Sequence, residues 1–77
     1  MILYHLNYGH FKDFREANAK ASKMRRSGAD VYVVDCSSFY TLRLFTSFKR
    51  QHVDWKAERL NGRGDIWISE SNTEKEV

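Results

Sequence analysis

Two stretches of this sequence follow the same pattern and together decide the fold. The first is KASKMRRSGADVYV at residues 20–33, and the second is KAERLNGRGDIWI at residues 56–68. Each passes from charged and small residues through a glycine to an aspartate, and ends in alternating apolar and aromatic residues. The two align at an offset of about 36 residues, with one residue deleted before the second aspartate. Short alternating segments lie upstream of them, at residues 6–8 and 42–44. This repeat predicts a duplicated unit of strand, helix and strand.

Length and composition indicate one small globular domain. The chain has 77 residues, of which 42% are hydrophobic, 14% aromatic and 30% charged, which excludes a disordered chain. The single Cys36 excludes an internal disulfide framework. No apolar run approaches the roughly 18 residues of a membrane span, and residues 1–5 lack the features of a secretory signal. The sequence therefore predicts a cytoplasmic protein as encoded, without a membrane partner.

The charge is unevenly distributed along the chain. The net charge is +3, from 13 Lys and Arg against 10 Asp and Glu. Residues 69–77 hold one lysine and three glutamates, so the rest of the chain has 12 basic and 7 acidic residues and a charge of +5. A basic body favours an anionic partner, such as nucleic acid, an acidic polymer or an acidic protein surface. A few net charges also serve solubility alone, so the charge does not select a partner.

The first half of the sequence predicts a strand and a helix. Residues 2–8 alternate as in a half-buried strand, and Gly9 ends it. Asp13 and Glu16 form a capping box that opens a helix running to about residue 27. Gly28 is placed to end that helix in a left-handed conformation.

The second half completes the pattern. Strands are expected at residues 30–35, 39–45 and 65–69, with a tight connection at Ser37 and Ser38. Thr46 or Ser47 is expected to cap a second helix, which residues 61–64 end. The prediction is an α+β domain over residues 1–69 with a flexible acidic tail at 70–77. Its order is ferredoxin-like βαββαβ, with both helices on one face of a four-stranded antiparallel sheet.

Strand alternation assigns residues to the two faces of this sheet. The residues expected beneath the helices are Tyr4, Leu6, Tyr8, Val31, Val33, Tyr40, Leu42, Leu44, Ile66 and Ile68. The residues expected on the open face are His5, Asn7, Tyr32, Thr41, Arg43, Phe45 and Trp67. Several aromatic rings on an open face predict a ligand there, or a cover formed by the second helix, the tail or a dimer partner. The oligomeric state is left open between monomer and homodimer.

The placed residues resemble the SPOR (sporulation-related repeat) domain over about residues 4–69. The resemblance lies in NYGHFKD at residues 7–13, in Ala17, Met24 and Gly28, and in the strand YTLRL at residues 40–44. In the second helix, Val53 and Leu60 fall where the family has its Ala and Leu. Departures are Asn7 in place of the family's Gln, and residues 45–47 in place of its Gly-Pro-Phe.

The resemblance implies a module that binds peptidoglycan glycan strands on its open sheet face, without catalysis and without a cofactor. It assigns Asn7, Thr41 and Arg43 to the family's polar positions, with Tyr32 and Trp67 on neighbouring strands. SPOR domains usually sit at the end of an anchored or secreted protein. A cytoplasmic chain would therefore reach the cell wall only after export or release.

Other functions remain open at this point. RNA-recognition modules share the βαββαβ order, so bases could stack on Phe45, Tyr32 and Trp67. An accessory protein of a phage or mobile element could bind a host protein with the same face. His5, His10, His52 and Cys36 lack metal-ligand or nucleophile spacing, which predicts neither a metal site nor an enzyme.

Overall fold

The computed structural model describes residues 1–60 and 65–72, and within them six elements follow one another. They are β1 Ile2–Phe11, α1 Phe14–Arg26, β2 Tyr32–Asp35, β3 Tyr40–Ser47, α2 Arg50–Arg59 and β4 Ile66–Asn72. The strands form one antiparallel sheet in the order β2-β3-β1-β4. This confirms the predicted ferredoxin-like βαββαβ fold. Neither helix in the described part of the chain is long and apolar enough to cross a membrane.

Helix α1 begins and ends as its sequence predicts. The backbone N–H of Glu16 donates to Asp13 Oδ1 at 2.8 Å, which satisfies one of the unpaired donors of the first turn. Lys23, Arg25 and Arg26 lie in the last turn, where the helix dipole favours positive charge. Gly28 has φ of +97°, so the chain leaves the helix through a conformation that glycine adopts without strain.

The core lies between the sheet and the helices. Ala17 and Ala21 of α1 are fully buried, and these small side chains let the helix lie close to Val31 and Leu42. Val53 is the buried residue of α2. Burying a side chain of the size of Leu or Val stabilises the folded state by about 1.5–3 kcal/mol. The ten side chains predicted beneath the helices lie on that face.

The ends of several elements differ from the prediction. Strand β2 begins at Tyr32 rather than at residue 30. Neither Thr46 nor Ser47 caps α2: both belong to β3, and Lys49 precedes the helix without a side-chain cap. The predicted helix end at residues 61–64 falls outside the described residues.

Strand β4 is longer than predicted. It continues through Asn72 because residues 70–72 pair with Tyr4, Leu3 and Ile2 of β1. The domain boundary at residue 69 is therefore wrong, and residues 70–72 belong to the sheet. The rest of the predicted tail, residues 73–77, falls outside the described residues.

A bulge in β3 changes which side chains share a face. Leu6 pairs with Phe45, whereas Asn7 pairs with Arg43, so Leu44 is an extra residue in β3. An extra residue reverses the alternation beyond it. Phe45 therefore lies on the helix face with Leu6, and the prediction that it lies on the open face is wrong. Thr46 occupies the open face in its place.

A second bulge lies in β1. Tyr8 pairs with Leu42 and Phe11 pairs with Tyr40. Two residues of β1, Gly9 and His10, therefore lie opposite the single residue Thr41 of β3. Gly9 has φ of +80°, the conformation that glycine provides at such bulges. A Cβ atom at Gly9 would lie 2.6 Å from Cε2 of Phe11. The bulge thus needs glycine both for its backbone angle and for the space that the Phe11 ring takes.

Candidate functional site

One row of side chains crosses the open face of the sheet. Strand pairing places Tyr32 opposite Arg43, Arg43 opposite Asn7, and Asn7 opposite Trp67. The row therefore runs perpendicular to the strands, with an aromatic ring at each end and polar groups between. Neighbouring strands are about 4.8 Å apart, so the outer two backbones of the row are about 14 Å apart. We call these four residues the cross-strand row.

Asn7 forms the buried centre of the row. Its side chain has no exposed surface. Its Nδ2 donates to Ser69 Oγ at 3.0 Å, and its Oδ1 accepts from Arg43 Nε at 3.2 Å. A buried carboxamide needs such partners, because a buried polar group without a hydrogen bond costs about 1–3 kcal/mol. Asn7 thus links β4 to β3 and orients Arg43, but it presents no polar atom at the surface.

Arg43 supplies the positive charge of the face. It is the only lysine or arginine among the open-face positions of the described strands. Its Nε is bound to Asn7, and it forms no ion pair with a carboxylate of residues 1–60 or 65–72. With respect to the described residues, the terminal nitrogens of the half-buried guanidinium have no hydrogen-bond or ion-pair partner and can donate to a hydroxyl, amide or carboxylate oxygen of a ligand.

Trp67 reaches across β1 to β3. Its indole Nε1 lies 3.2 Å from Thr41 Oγ1 and 3.4 Å from the carbonyl oxygen of Gly9. The Thr41 hydroxyl is fully buried and donates to the same carbonyl at 2.7 Å. This network fixes the ring plane of Trp67. Thr41, like Asn7, lies beneath the surface and does not reach a ligand directly.

Two rings that the sequence did not assign to the site join Trp67. His10 stacks on Trp67 with ring centroids 5.1 Å apart and planes 21° apart, and its centroid lies 4.6 Å from that of Phe39. Phe39 in turn lies 5.9 Å from Trp67. The β1 bulge brings His10 to this face, and the only local sign of it in the sequence is Gly9. We call Trp67, His10 and Phe39 the aromatic cluster.

His5 lies at the other end of the face. Its Nδ1 is 2.9 Å from Thr46 Oγ1 and its Nε2 is 2.8 Å from Ser71 Oγ, so the ring bridges β3 and β4 across β1. Burial, and to a smaller extent the positive charge of Arg43, lower the pKa of His5 below its ordinary value. The ring is neutral at neutral pH and acts as a hydrogen-bonded brace between the strands.

The predicted open-face residues thus fall into three groups. Tyr32, Arg43 and Trp67 present surface to a ligand, and Tyr32 is about half exposed at 53%. Asn7, Thr41 and His5 lie on the same face but are buried, so in this structure they position their neighbours. Phe45 lies on the opposite face.

The open face can therefore bind a flat or ring-shaped group against aromatic surface while one guanidinium donates hydrogen bonds beside it. Hydroxyl groups of Thr46, Ser69 and Ser71 extend the polar part of the face. Comparison of the chain with models of known protein families, with curated proteins and with solved structures finds no match.

Proposed function

We propose that the chain is a non-enzymatic, SPOR-like binding module whose open sheet face binds peptidoglycan glycan strands. The observation that supports this most is the cross-strand row, in which Tyr32 and Trp67 flank Arg43. The proposal combines this geometry with the resemblance of residues 4–69 to the SPOR domain.

The chemistry of the row suits a chain of sugars. Sugar rings have apolar C–H faces that pack against aromatic side chains, and their substituents offer hydroxyl, acetamido and carboxylate oxygens. Arg43 can donate to these oxygens, since its terminal nitrogens have no carboxylate partner among the described residues. A single cation is enough for a sparsely charged polymer.

The test is co-sedimentation of the protein with peptidoglycan from which the stem peptides have been removed. The proposal expects binding to this material, and expects Trp67→Ala and Arg43→Ala each to weaken it by about 1–3 kcal/mol, or roughly 5- to 150-fold. Trp55→Ala is the matched control for the tryptophan, because Trp55 is 58% exposed on α2, across the sheet from the row. Arg26→Ala, at the exposed end of α1, is the matched control for the arginine. Absence of the wild-type protein from every peptidoglycan pellet ends the proposal.

The aromatic cluster supports a second candidate, which is single-stranded nucleic acid. Bases stack on exposed aromatic rings, at about 1–3 kcal/mol per base. Against it, Arg43 is the only lysine or arginine of the described strands on this face, and nucleic-acid binding draws much of its affinity from phosphate contacts. Titration with an oligonucleotide at two salt concentrations separates the candidates, because binding to phosphates weakens steeply with salt whereas binding to a glycan does not.

A further inference from the structure

A groove opens on the other side of the sheet, between the two helices. α1 packs chiefly on β2 and β3, and α2 packs on β1 and β3, which leaves sheet surface uncovered between them. The groove has a volume of about 610 Å³, within the range of about 300–1,000 Å³ of small-molecule sites. Its apolar lining includes Leu6, Met24, Val31, Leu44, Phe45 and Leu60.

The β3 bulge contributes to this groove. Because Leu44 is an extra residue in β3, both Leu44 and Phe45 line the groove instead of alternating across the sheet. A smaller cavity shares Met24, Leu44 and Leu60 with the groove and reaches Tyr8 and Ile66. Apolar surface therefore continues from one helix to the other and is only partly shielded from water.

Cations stand along the rim of this apolar surface. Lys56 and Arg59 of α2 line the groove, and Lys20 of α1 lines the adjoining cavity. The Nζ of Lys56 lies 5.1 Å from the centroid of the Phe45 ring, and the Nζ of Lys20 lies 5.7 Å from that of Tyr8.

None of these three cations forms an ion pair with a carboxylate of residues 1–60 or 65–72. The carboxylate lining the described part of the groove is that of Asp30, on the loop after α1. The rim formed by α2 is therefore positive, and it lies directly beside hydrocarbon surface.

We propose that this groove binds a single amphiphilic anion, a medium-chain carboxylate, with its hydrocarbon chain on the half-buried Met24, Leu44 and Leu60 and its carboxylate at Lys56 and Arg59. Charge complementarity selects an anionic head group, and the apolar lining selects an alkyl tail. The volume fits a small molecule, whereas a docked α-helix is about 10–12 Å across with its side chains. The site lies across the sheet from the cross-strand row and is independent of the proposed glycan binding.

The test is a titration of the full chain with decanoate, below the concentration at which it forms micelles, followed by amide ¹H–¹⁵N shifts. We expect saturable shifts around Ala29, Leu44 and Leu60, and little change at Tyr32 or Trp67. Acetate and 1-decanol are the controls for the alkyl tail and for the charge, and both should bind at least tenfold more weakly. The double variant K56A/R59A should weaken decanoate binding tenfold or more, since it removes two charge-assisted hydrogen-bond donors.

Ala29→Trp provides a second variant that leaves the core unchanged. Ala29 is exposed and lines the groove, so a large side chain there should block decanoate while the thermal midpoint stays within a few degrees of wild type. The proposal is overturned if decanoate gives no saturable shifts, if K56A/R59A binds it as well as the wild type does, or if the shifts map to the open face. It is also overturned if sedimentation shows self-association that Ala29→Trp abolishes, because the groove would then belong to a second copy. Ala29→Trp should still co-sediment with glycan strands, because the groove lies across the sheet from the cross-strand row. Failure of the groove proposal and failure of the proposed function can therefore be told apart.

Discussion

The indole Nε1 of Trp67 hydrogen-bonds to the hydroxyl of Thr41 at 3.2 Å, although β1 lies between the strands that carry them. The side chain crosses β1 at Gly9, whose carbonyl oxygen accepts from both groups. A half-buried ring of the open face is thereby hydrogen-bonded to a buried hydroxyl on the far side of a neighbouring strand.

Replacing Thr41 by valine should lower the free energy of unfolding by about 1–3 kcal/mol, measured by urea denaturation. Valine has a similar shape but removes a buried hydroxyl that serves as both donor and acceptor. The fluorescence of Trp67 should also shift, in a Trp55→Phe background that removes the other indole. Thr41→Ser keeps the hydroxyl and should leave the fluorescence unchanged. Equal spectra for the valine and serine variants would contradict the link between the two residues.

Gly9→Ala should destabilise the protein more than Gly28→Ala does. Both glycines have positive φ, so each alanine carries the backbone cost of about 1–2 kcal/mol. At Gly9 the new Cβ would also meet the Phe11 ring, whereas at Gly28 no atom of residues 1–60 or 65–72 lies within 4 Å. Overpacking adds about 1–3 kcal/mol, which should appear as the difference between the two variants in urea denaturation. Equal losses would mean that the Phe11 ring moves away without cost.

Acidification should destabilise the protein through His5. Burial first, and Arg43 second, lower the pKa of His5 in the folded state, so the unfolded chain binds its proton more tightly. This contribution to stability is fully present above the ordinary histidine pKa of about 6.5 and is lost as the pH falls through the lowered pKa. Unfolding free energies at pH 7.5 and 5.5 measure the difference.

Two variants assign that pH dependence to its causes. His5→Gln can still hydrogen-bond to Thr46 or Ser71 but has no group that titrates there, so the slope between the two pH values should shrink. Arg43→Gln removes the smaller cause and should reduce the slope less. A slope that is the same in His5→Gln as in the wild type would show that another group is responsible.

Phe45→Ala should leave glycan binding unchanged, while Trp67→Ala weakens it. Phe45 lies on the helix face beneath Lys56, so its loss should instead lower the free energy of unfolding by about 1–3 kcal/mol, less than for a fully buried phenylalanine. Co-sedimentation and urea denaturation of the same two variants test both statements. Loss of glycan binding in a folded Phe45→Ala variant would contradict the placement of this ring on the helix face.

Much of the fold can be predicted from local signals in the sequence. The Asp13 cap, the end of α1 at Gly28 and the alternation along β1 each depend on residues within one turn of helix or one strand. The alternation along each of the four strands likewise places the ten residues beneath the helices. Alternation also places Asn7, Arg43, Tyr32 and Trp67 on one face. These predictions hold because Asn7 and Arg43 precede the bulges of their strands, and the strands of Tyr32 and Trp67 pair without a bulge.

The errors come from pairing between distant strands. Nothing within residues 40–47 shows that Leu44 is an extra residue, because the bulge is defined only against β1. His10 and Phe39 join the site for a similar reason, through the β1 bulge and the rings that they meet on β4. The polar end of β4 has little strand propensity, yet it pairs with β1 through Asn72, so tertiary pairing outweighs local preference there.

The backbone spacing of the cross-strand row does not depend on which side chains the row carries. Its spacing is set by main-chain pairing between strands, and three of its four members have side chains that reach the surface. Replacing Tyr32, Arg43 or Trp67 therefore changes the chemical groups that the surface presents. The spacing between those groups stays the same, because the backbone of the sheet sets it. A directed library at those three positions would sample many ligand chemistries at one fixed geometry.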